Sequence, residues 1–246
     1  MRQELAVLFS VLMVTAASWV ANQPLGAQPS PPLTRRPSVS PLKPGPCPTN
    51  VILDDAEDGD GRIVAADGRG GPWYAYADAL GTSIDPRGPF HMAHGGARGS
   101  KWAARLRGET AASGNVYAGL GFSIHDPKAP SDLSCCRGVS FWAKERGKPS
   151  AIIRFNLGDA QTMPEGKQCR QCYNHFGAYL KLTETWTRYE FSFGALKQQW
   201  HWGELFEHLV PSAIYTLDWM YVRPNDEFDI WIDDIELSGC GCGAAP

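Results

Sequence analysis

From residue 51 onward the chain alternates short apolar runs with clusters of Gly, Pro, Asn and Asp, and no long amphipathic helix interrupts the pattern. The periodicity predicts strands over residues 51–53, 102–106, 139–143, 151–157, 177–182, 188–193, 217–222 and 228–237. Only residues 203–209 read as helical. In Ile152-Ile153-Arg154-Phe155-Asn156-Leu157 and Phe191-Ser192-Phe193 apolar and polar positions alternate, so one face packs while the other meets water or ligand. Strands of this kind predict an all-β fold, a two-sheet β-sandwich or jelly roll. No internal repeat and no second boundary appears after residue 50, so one domain is expected over 49–240, with a flexible tail at 241–246.

The first residues carry a different pattern. Arg2, an apolar stretch over 5–20 and Leu25-Gly26-Ala27 ahead of Gln28 read as a signal peptide at 1–27, with Ala21 an alternative cut. The apolar stretch is broken by Ser10, Thr15 and Ser18 and falls short of the roughly 20 residues that cross a bilayer, so no transmembrane anchor is expected after cleavage. Residues 28–48, rich in Pro, Ser and Thr with Arg35 and Arg36, form a disordered linker in this reading. The expected location is secreted, extracellular or periplasmic.

Composition narrows the partners. A 43% hydrophobic content over 246 residues supplies a core. The 23 basic and 26 acidic residues leave no electrostatic footprint for nucleic acid or an anionic membrane. Seven cysteines behind a signal sequence read as a disulfide framework. Their positions suggest Cys47 with Cys240 across the domain ends, and Cys135 or Cys136 with Cys169 or Cys172, leaving Cys242 as the odd thiol. A redox pair at Cys169-Arg170-Gln171-Cys172 needs a strand-to-helix setting that the pattern does not supply. A four-thiolate zinc site suffers from the adjacency of Cys135 and Cys136.

Two acidic segments need partners. Asp54-Asp55-Ala56-Glu57-Asp58-Gly59-Asp60 concentrates carboxylates that repel one another unless a cation or water screens them, yet it lacks the spacing of an EF-hand. Asp233 and Asp234 interrupt the apolar strand at 228–235, where carboxylates require partners. If the first and last strands are neighbours, Glu57 and Asp234 share one Ca²⁺, completed by carbonyls of the Gly-rich turn at 95–100. The alternative is carboxylates at strand ends satisfied by backbone N–H groups.

Four segments in order carry a resemblance: Ile52-Leu53-Asp54-Asp55-Ala56-Glu57-Asp58-Gly59, Gly138-Val139-Ser140-Phe141-Trp142-Ala143-Lys144, Trp186-Thr187-Arg188-Tyr189-Glu190-Phe191, and residues 228–235. Together they resemble the galactose-binding-like jelly rolls of carbohydrate-binding modules, most of all the family-eleven type. The resemblance implies a structural calcium linking the terminal strands and a concave glycan-binding sheet face. Ala56, where an aromatic residue is common, and the cysteines at 169 and 172 depart from it and leave the glycan open.

Sugar rings need flat aromatic faces and fixed polar groups. The platforms proposed from the sequence are Trp73, Tyr74, Tyr76, Tyr117, Tyr173, Trp200, Trp202 and Tyr221, with Arg154, Asn156, Asp159, Asn174, His175 and Arg223 for hydroxyls. The site residues selected from these are Tyr117, Arg154, Asn156, Tyr173, His175 and Trp202. Trp142, Trp186, Trp219 and Trp231 sit among apolar strand residues and are assigned to the core. No Gly-x-Ser-x-Gly elbow or His-Glu-x-x-His is present, and His91 and His94 lie in a Gly-rich segment typical of surface loops. The sequence expectation is a secreted, non-catalytic module that binds a polysaccharide or oligosaccharide. Two alternatives stand beside it: an envelope sandwich with a protein partner, and a lyase or hydrolase in which His175 or Tyr173 is the base beside Arg154.

Overall fold

A computed structural model describes residues 50–147 and 151–241 of the chain. The signal peptide and linker expected at 1–48, Cys47 and Cys242 lie outside the described residues. Twelve strands follow in chain order: β1 (Asn50–Asp54), β2 (Trp73–Ala77), β3 (Ser83–Asp85), β4 (Ala93–His94), β5 (Trp102–Glu109), β6 (Ala118–Ser123), β7 (Gly138–Glu145), β8 (Ile152–Asp159), β9 (Phe176–Lys181), β10 (Thr187–Ser192), β11 (Ile214–Tyr221) and β12 (Glu227–Ser238). The helices among the described residues are four single 3-10 turns.

The strands form two antiparallel sheets. One has the order β10-β7-β12-β5-β3, with β1 on β12 and β4 on β5; the other runs β2-β6-β11-β8-β9. Every strand contributes alternate residues to the space between them. Leu120 and Phe122 of β6, Leu217 and Trp219 of β11, and Ile153, Phe155 and Leu157 of β8 meet Phe141 of β7 and Ile230 and Ile232 of β12 in a core of fully buried side chains. Phe155 lies within 5.0–5.6 Å of the rings of Phe141, Phe191 and Trp219, close enough for offset and edge packing. The long strand β12 pairs with β1, β5 and β7 and so joins the start of the domain to its end, which meets the condition set for the two acidic segments to approach one another.

The structure corrects several sequence expectations. Residues 203–209 are not helical. Gly203 takes a positive φ of 72°, and the next residues spend their backbone groups on tertiary partners: Glu204 N–H donates to the Gln171 carbonyl and Phe206 N–H to the Gln198 side chain. Strand β6 was missed because Gly119 and Gly121 weaken its local signal. Cys240 pairs with Cys136 rather than Cys47, and Cys169 with Cys172 rather than with Cys135 or Cys136. These bonds remove the four-thiolate zinc alternative. Cys135 is exposed and free. Of the four tryptophans assigned to the core, Trp219 lies between the sheets and Trp231 is buried too, but on the outer face of the seven-stranded sheet; Trp142 and Trp186 are only half-buried, beneath cationic side chains. Trp73 and Tyr221, read as platforms, are buried instead.

Phe155→Ala removes a ring enclosed on three sides by aromatic neighbours and is expected to cost about 3–5 kcal/mol. Urea unfolding followed by tryptophan fluorescence measures this loss, which should appear as a lower midpoint with an unchanged slope.

Candidate functional site

The outer face of the five-stranded sheet is built by strand register. Tyr74, Gly121, Asp218, Asn156 and Gly177 are successive cross-strand partners and form one row. Tyr76, Gly119, Met220, Arg154 and Tyr179 form the next. Both rows point away from the core because their strand neighbours, such as Trp219 and Phe155, point into it. The glycines have a steric role: a Cβ on Gly119 would collide with the Tyr76 ring, and one on Gly177 with the Asn156 side chain. Long polar side chains can therefore lie flat across the sheet.

They do so in a connected network. Asp218 Oδ1 accepts hydrogen bonds from Tyr76 Oη at 2.7 Å and Asn156 Nδ2 at 3.0 Å. Arg154 Nε donates to Asn156 Oδ1 at 2.8 Å, and its Nη2 donates to the carbonyls of Lys197 at 2.6 Å and His175 at 3.2 Å. The guanidinium sits 5.0 Å from the centre of the Tyr179 ring, and Tyr179 Oη donates to Gln199 Oε1. Arg154, Asn156 and Asp218 are each no more than 4% exposed. Burial drives the Asp218 carboxyl up to about 6, although its two donors and the Arg154 charge pull the other way. Burial, then Arg154 and Lys128, hold the His175 imidazole down at about 3, so it is neutral at physiological pH.

Aromatic rings flank this floor, Tyr74 and Tyr76 half-buried and Tyr117 exposed. On the β2 side Tyr74, Tyr76 and Tyr117 follow one another at 6.1 and 6.2 Å between ring centres. On the β9 side Tyr179 is 52% exposed. Tyr173 stands edge-on to His175, whose Nδ1 is 2.8 Å from Thr162 Oγ1. Asn174 is buried and ties down the loop that bears Trp200 and Trp202: its Nδ2 donates to the Gln199 and Trp202 carbonyls and its Oδ1 accepts from Gln199 N–H. The Cys169–Cys172 loop braces the same segment, since Arg170 N–H donates to the Glu204 carboxylate and Glu204 N–H to the Gln171 carbonyl.

The six residues selected from sequence thus fall into two groups. Tyr117, Tyr173 and Trp202 are exposed aromatic residues. Arg154 and Asn156 belong to the buried floor, and the His175 ring is half-buried and engaged by Thr162. Asp159 is fully buried, holds Gln161 and Thr162 in the loop after β8 and accepts from the N–H of Val210 in the segment before β11, while Arg223 lies beyond the far end of β11 beside Asp226. Sequence reasoning missed Asp218, Tyr179 and Gln199. The alternation of Thr216, Asp218 and Met220 with apolar residues was a usable signal for the first, and Tyr179 lay inside a predicted strand; Gln199 is recruited by a loop and gave none.

The two residues read as calcium ligands each bond the 98–102 segment through partners of their own. Asp234 turns to Arg98, at 3.0 Å. Glu57 Oε1 accepts from Ser100 Oγ and the N–H groups of Lys101 and Trp102, which hold its carboxyl below the usual range. The neighbouring Asp233 reaches the same turn through that turn's backbone, accepting from Ala97 N–H at 2.6 Å; burial pushes its carboxyl up to about 7. Among the described residues no three His, Cys, Asp or Glu side chains converge as a metal site.

No family model and no curated protein matches the chain. Solved structures do. A family 11 carbohydrate-binding module from Clostridium thermocellum, in complex with a β-1,3-1,4-mixed-linked tetrasaccharide, superposes with a TM-score of 0.54 at 17% identity, over 78% of this chain and 96% of that one. The family 11 module of the cellulosomal cellulase Lic26A-Cel5E from the same organism gives 0.55 at 18% identity, over 77% and 94%. A family 30 carbohydrate-binding module gives 0.51 at 14% identity, over 77% and 98%. At these identities the likeness establishes a shared fold, the jelly-roll sandwich of carbohydrate-binding modules.

The raised Asp218 carboxyl gives a pH signature. Its native-state value, about 6, lies above the ordinary 3.8, so the folded state holds this proton more tightly than the unfolded chain, and stability falls as pH rises through that window. An Asp218→Asn protein keeps an acceptor for Tyr76 and Asn156 but loses the titration. Relative to the native sequence it should gain on the order of 3 kcal/mol between about pH 4 and pH 7. Urea unfolding across that range reads the difference.

Proposed function

We propose that this protein binds a polysaccharide or oligosaccharide on the outer face of its five-stranded sheet and does so without catalysis. The observation that carries the reading is the pre-set Tyr76–Asp218–Asn156–Arg154 network between exposed tyrosines. Its polar groups are spent on one another and on backbone carbonyls, so it holds the platform rigid from beneath, and a sugar gains from apolar ring faces whose geometry is fixed before it arrives. The tyrosine rings at 76, 117 and 179 supply those faces at low entropic cost. The likeness to glycan-binding folds supports the same reading. The floor holds one cation, Arg154, against one carboxylate, Asp218, and this balance suits a neutral glycan.

Binding is favoured over the lyase alternative by the state of His175. An imidazole that protonates only near 3 is a poor proton acceptor, and its Nδ1 is already occupied by Thr162. The two disulfides among the described residues favour an oxidising, extracellular or periplasmic setting.

A structural calcium remains part of the proposal, with Glu57 and Asp233 in place of the Glu57 and Asp234 pair. Asp233 is a wholly buried carboxylate against a Gly-rich turn, a hard oxygen donor of the kind calcium takes, and it lacks a countercharge of its own. A bound cation there would supply that countercharge and tie β12 to the 95–100 turn.

Purified oxidised protein titrated with neutral β-linked oligosaccharides in a calorimeter should show saturable binding with no release of reducing ends. Tyr179→Ala and Tyr117→Ala should each weaken it about tenfold or more while leaving the circular dichroism spectrum intact. An absence of binding to a broad neutral glycan panel would remove this reading and turn attention to the exposed Trp200 and Leu205 as a protein-facing surface. For calcium, the midpoint of thermal unfolding should rise when calcium is added to chelator-treated protein, and Asp233→Asn should abolish the rise.

A further inference from the structure

The outer face of the opposite, seven-stranded sheet carries a second arrangement that the proposed function does not use. Arg105, Trp231 and Lys144 are cross-strand partners on β5, β12 and β7. The Arg105 guanidinium lies 4.5 Å from the centre of the Trp231 ring, and Lys144 Nζ lies 4.8 Å from that ring and 4.5 Å from Trp186. One row away Arg107 faces Asp229, and the Arg146 backbone is bonded to the Asp229 carbonyl. Arg105, Arg107, Arg146 and Asp229 are among the residues that line an open groove of about 510 Å³; Lys144 is not one of them, but shares the Trp231 ring with Arg105, which is.

The charges in and beside the groove are not equivalent. Arg105 is forked onto Asp229 through two hydrogen bonds of 2.7 and 2.6 Å, and Arg107 is paired with Asp85 at 2.7 Å. Lys144 and Arg146 form no ion pair with any carboxylate among the described residues. Lys144 is partly buried on two indole faces, and burial together with the nearby Arg146 and Arg105 charges lowers its pKa. A desolvated ammonium crowded by two guanidinium groups beside an open groove is a place where an anion gains more than it does in water. The Asp85, Glu109, Glu227 and Asp229 carboxylates around the same groove repel a densely charged polymer such as nucleic acid. A chain whose acidic groups are spaced by hydroxyl-bearing rings avoids that repulsion, and the Arg–Asp pairs offer its hydroxyls both donors and acceptors.

We propose that this face is a second binding site, for an acidic polysaccharide, in which Lys144 and Arg146 bind the carboxylate or sulfate group and Arg105, fixed by Asp229 over Trp231, bonds the adjoining sugar. The identification of the ligand as a polysaccharide rests on the reading of the five-stranded face; the anion site itself does not.

Calorimetric titration with an oligogalacturonate, a sulfated oligosaccharide and a neutral β-linked oligosaccharide tests it, using the full protein and its Lys144→Met, Arg146→Ser and Tyr179→Ala forms. Lys144→Met keeps an unbranched chain on the indoles, and Arg146 is exposed, so the second variant remains informative if the first unfolds. The expected result is binding of at least one acidic oligomer that weakens with added salt, falls about tenfold in each cation variant and is unchanged in Tyr179→Ala. The tighter of the two acidic oligomers identifies the acidic group. Binding of neither acidic oligomer, indifference to both cation variants, or loss in Tyr179→Ala would overturn the second site. Acidic binding with the expected pattern alongside no neutral binding would instead overturn the reading of the five-stranded face and leave this one standing.

Discussion

The period of two in strand β11 is the constraint on which both halves of this molecule depend. Leu217 and Trp219 face inward, and Trp219 touches Trp73, Phe122, Phe141 and Phe155, so it gathers strands from both sheets around one indole. Thr216, Asp218 and Met220 face outward from the same strand, and Asp218 joins Tyr76 of β2 to Asn156 of β8. A slip of one residue in the pairing of β11 would exchange these two sets, placing a carboxylate in the aromatic core and an indole on the outer face. The core's tolerance for only one register therefore also fixes the polar network.

That network is satisfied before any ligand arrives, and this explains its low exposure. Arg154 spends donors on two carbonyls and Asn156, while Asn156 and Tyr76 both spend theirs on Asp218. Buried polar groups need such partners, and once they have them they become rigid. The glycines at 119 and 177 belong to the same solution, because side chains there would lift Tyr76 and Asn156 off the sheet. Around this rigid floor the aromatic residues are held by loops. The buried Asn174 and the Cys169–Cys172 bond restrain the 199–204 segment, which limits the ordering cost that a ligand would otherwise meet.

The two sheets present different chemistry to solvent for a simple reason of layout. On the five-stranded sheet the charged groups are buried and paired beneath tyrosines. On the seven-stranded sheet the tryptophans lie lowest and the cations lie over them, with stems covering apolar surface and heads toward water. Charged groups and aromatic rings are thus inverted in depth between the two faces.

The sequence by itself determined the all-β class, eight of the strands within a few residues, and the placing of Trp219 and Phe155 inside. Alternation and turn residues are local properties, and local properties are legible along a chain. It also marked Arg154 and Asn156 as residues on one side of one strand, but it could not give their depth. Only the tertiary structure decided that they are a floor, that Asp218 closes their network, that Asp233 takes a backbone N–H of the Gly-rich turn while Asp234 takes its Arg98, and that Cys240 finds Cys136. Each of these depends on which strand lies beside which, and on what covers a sheet face once the sheets have packed. A tryptophan flanked by isoleucines, as Trp231 is, reads as core in any strand; the side of the sheet it occupies follows from the parity its neighbours impose, and cations from two other strands then bury it from outside.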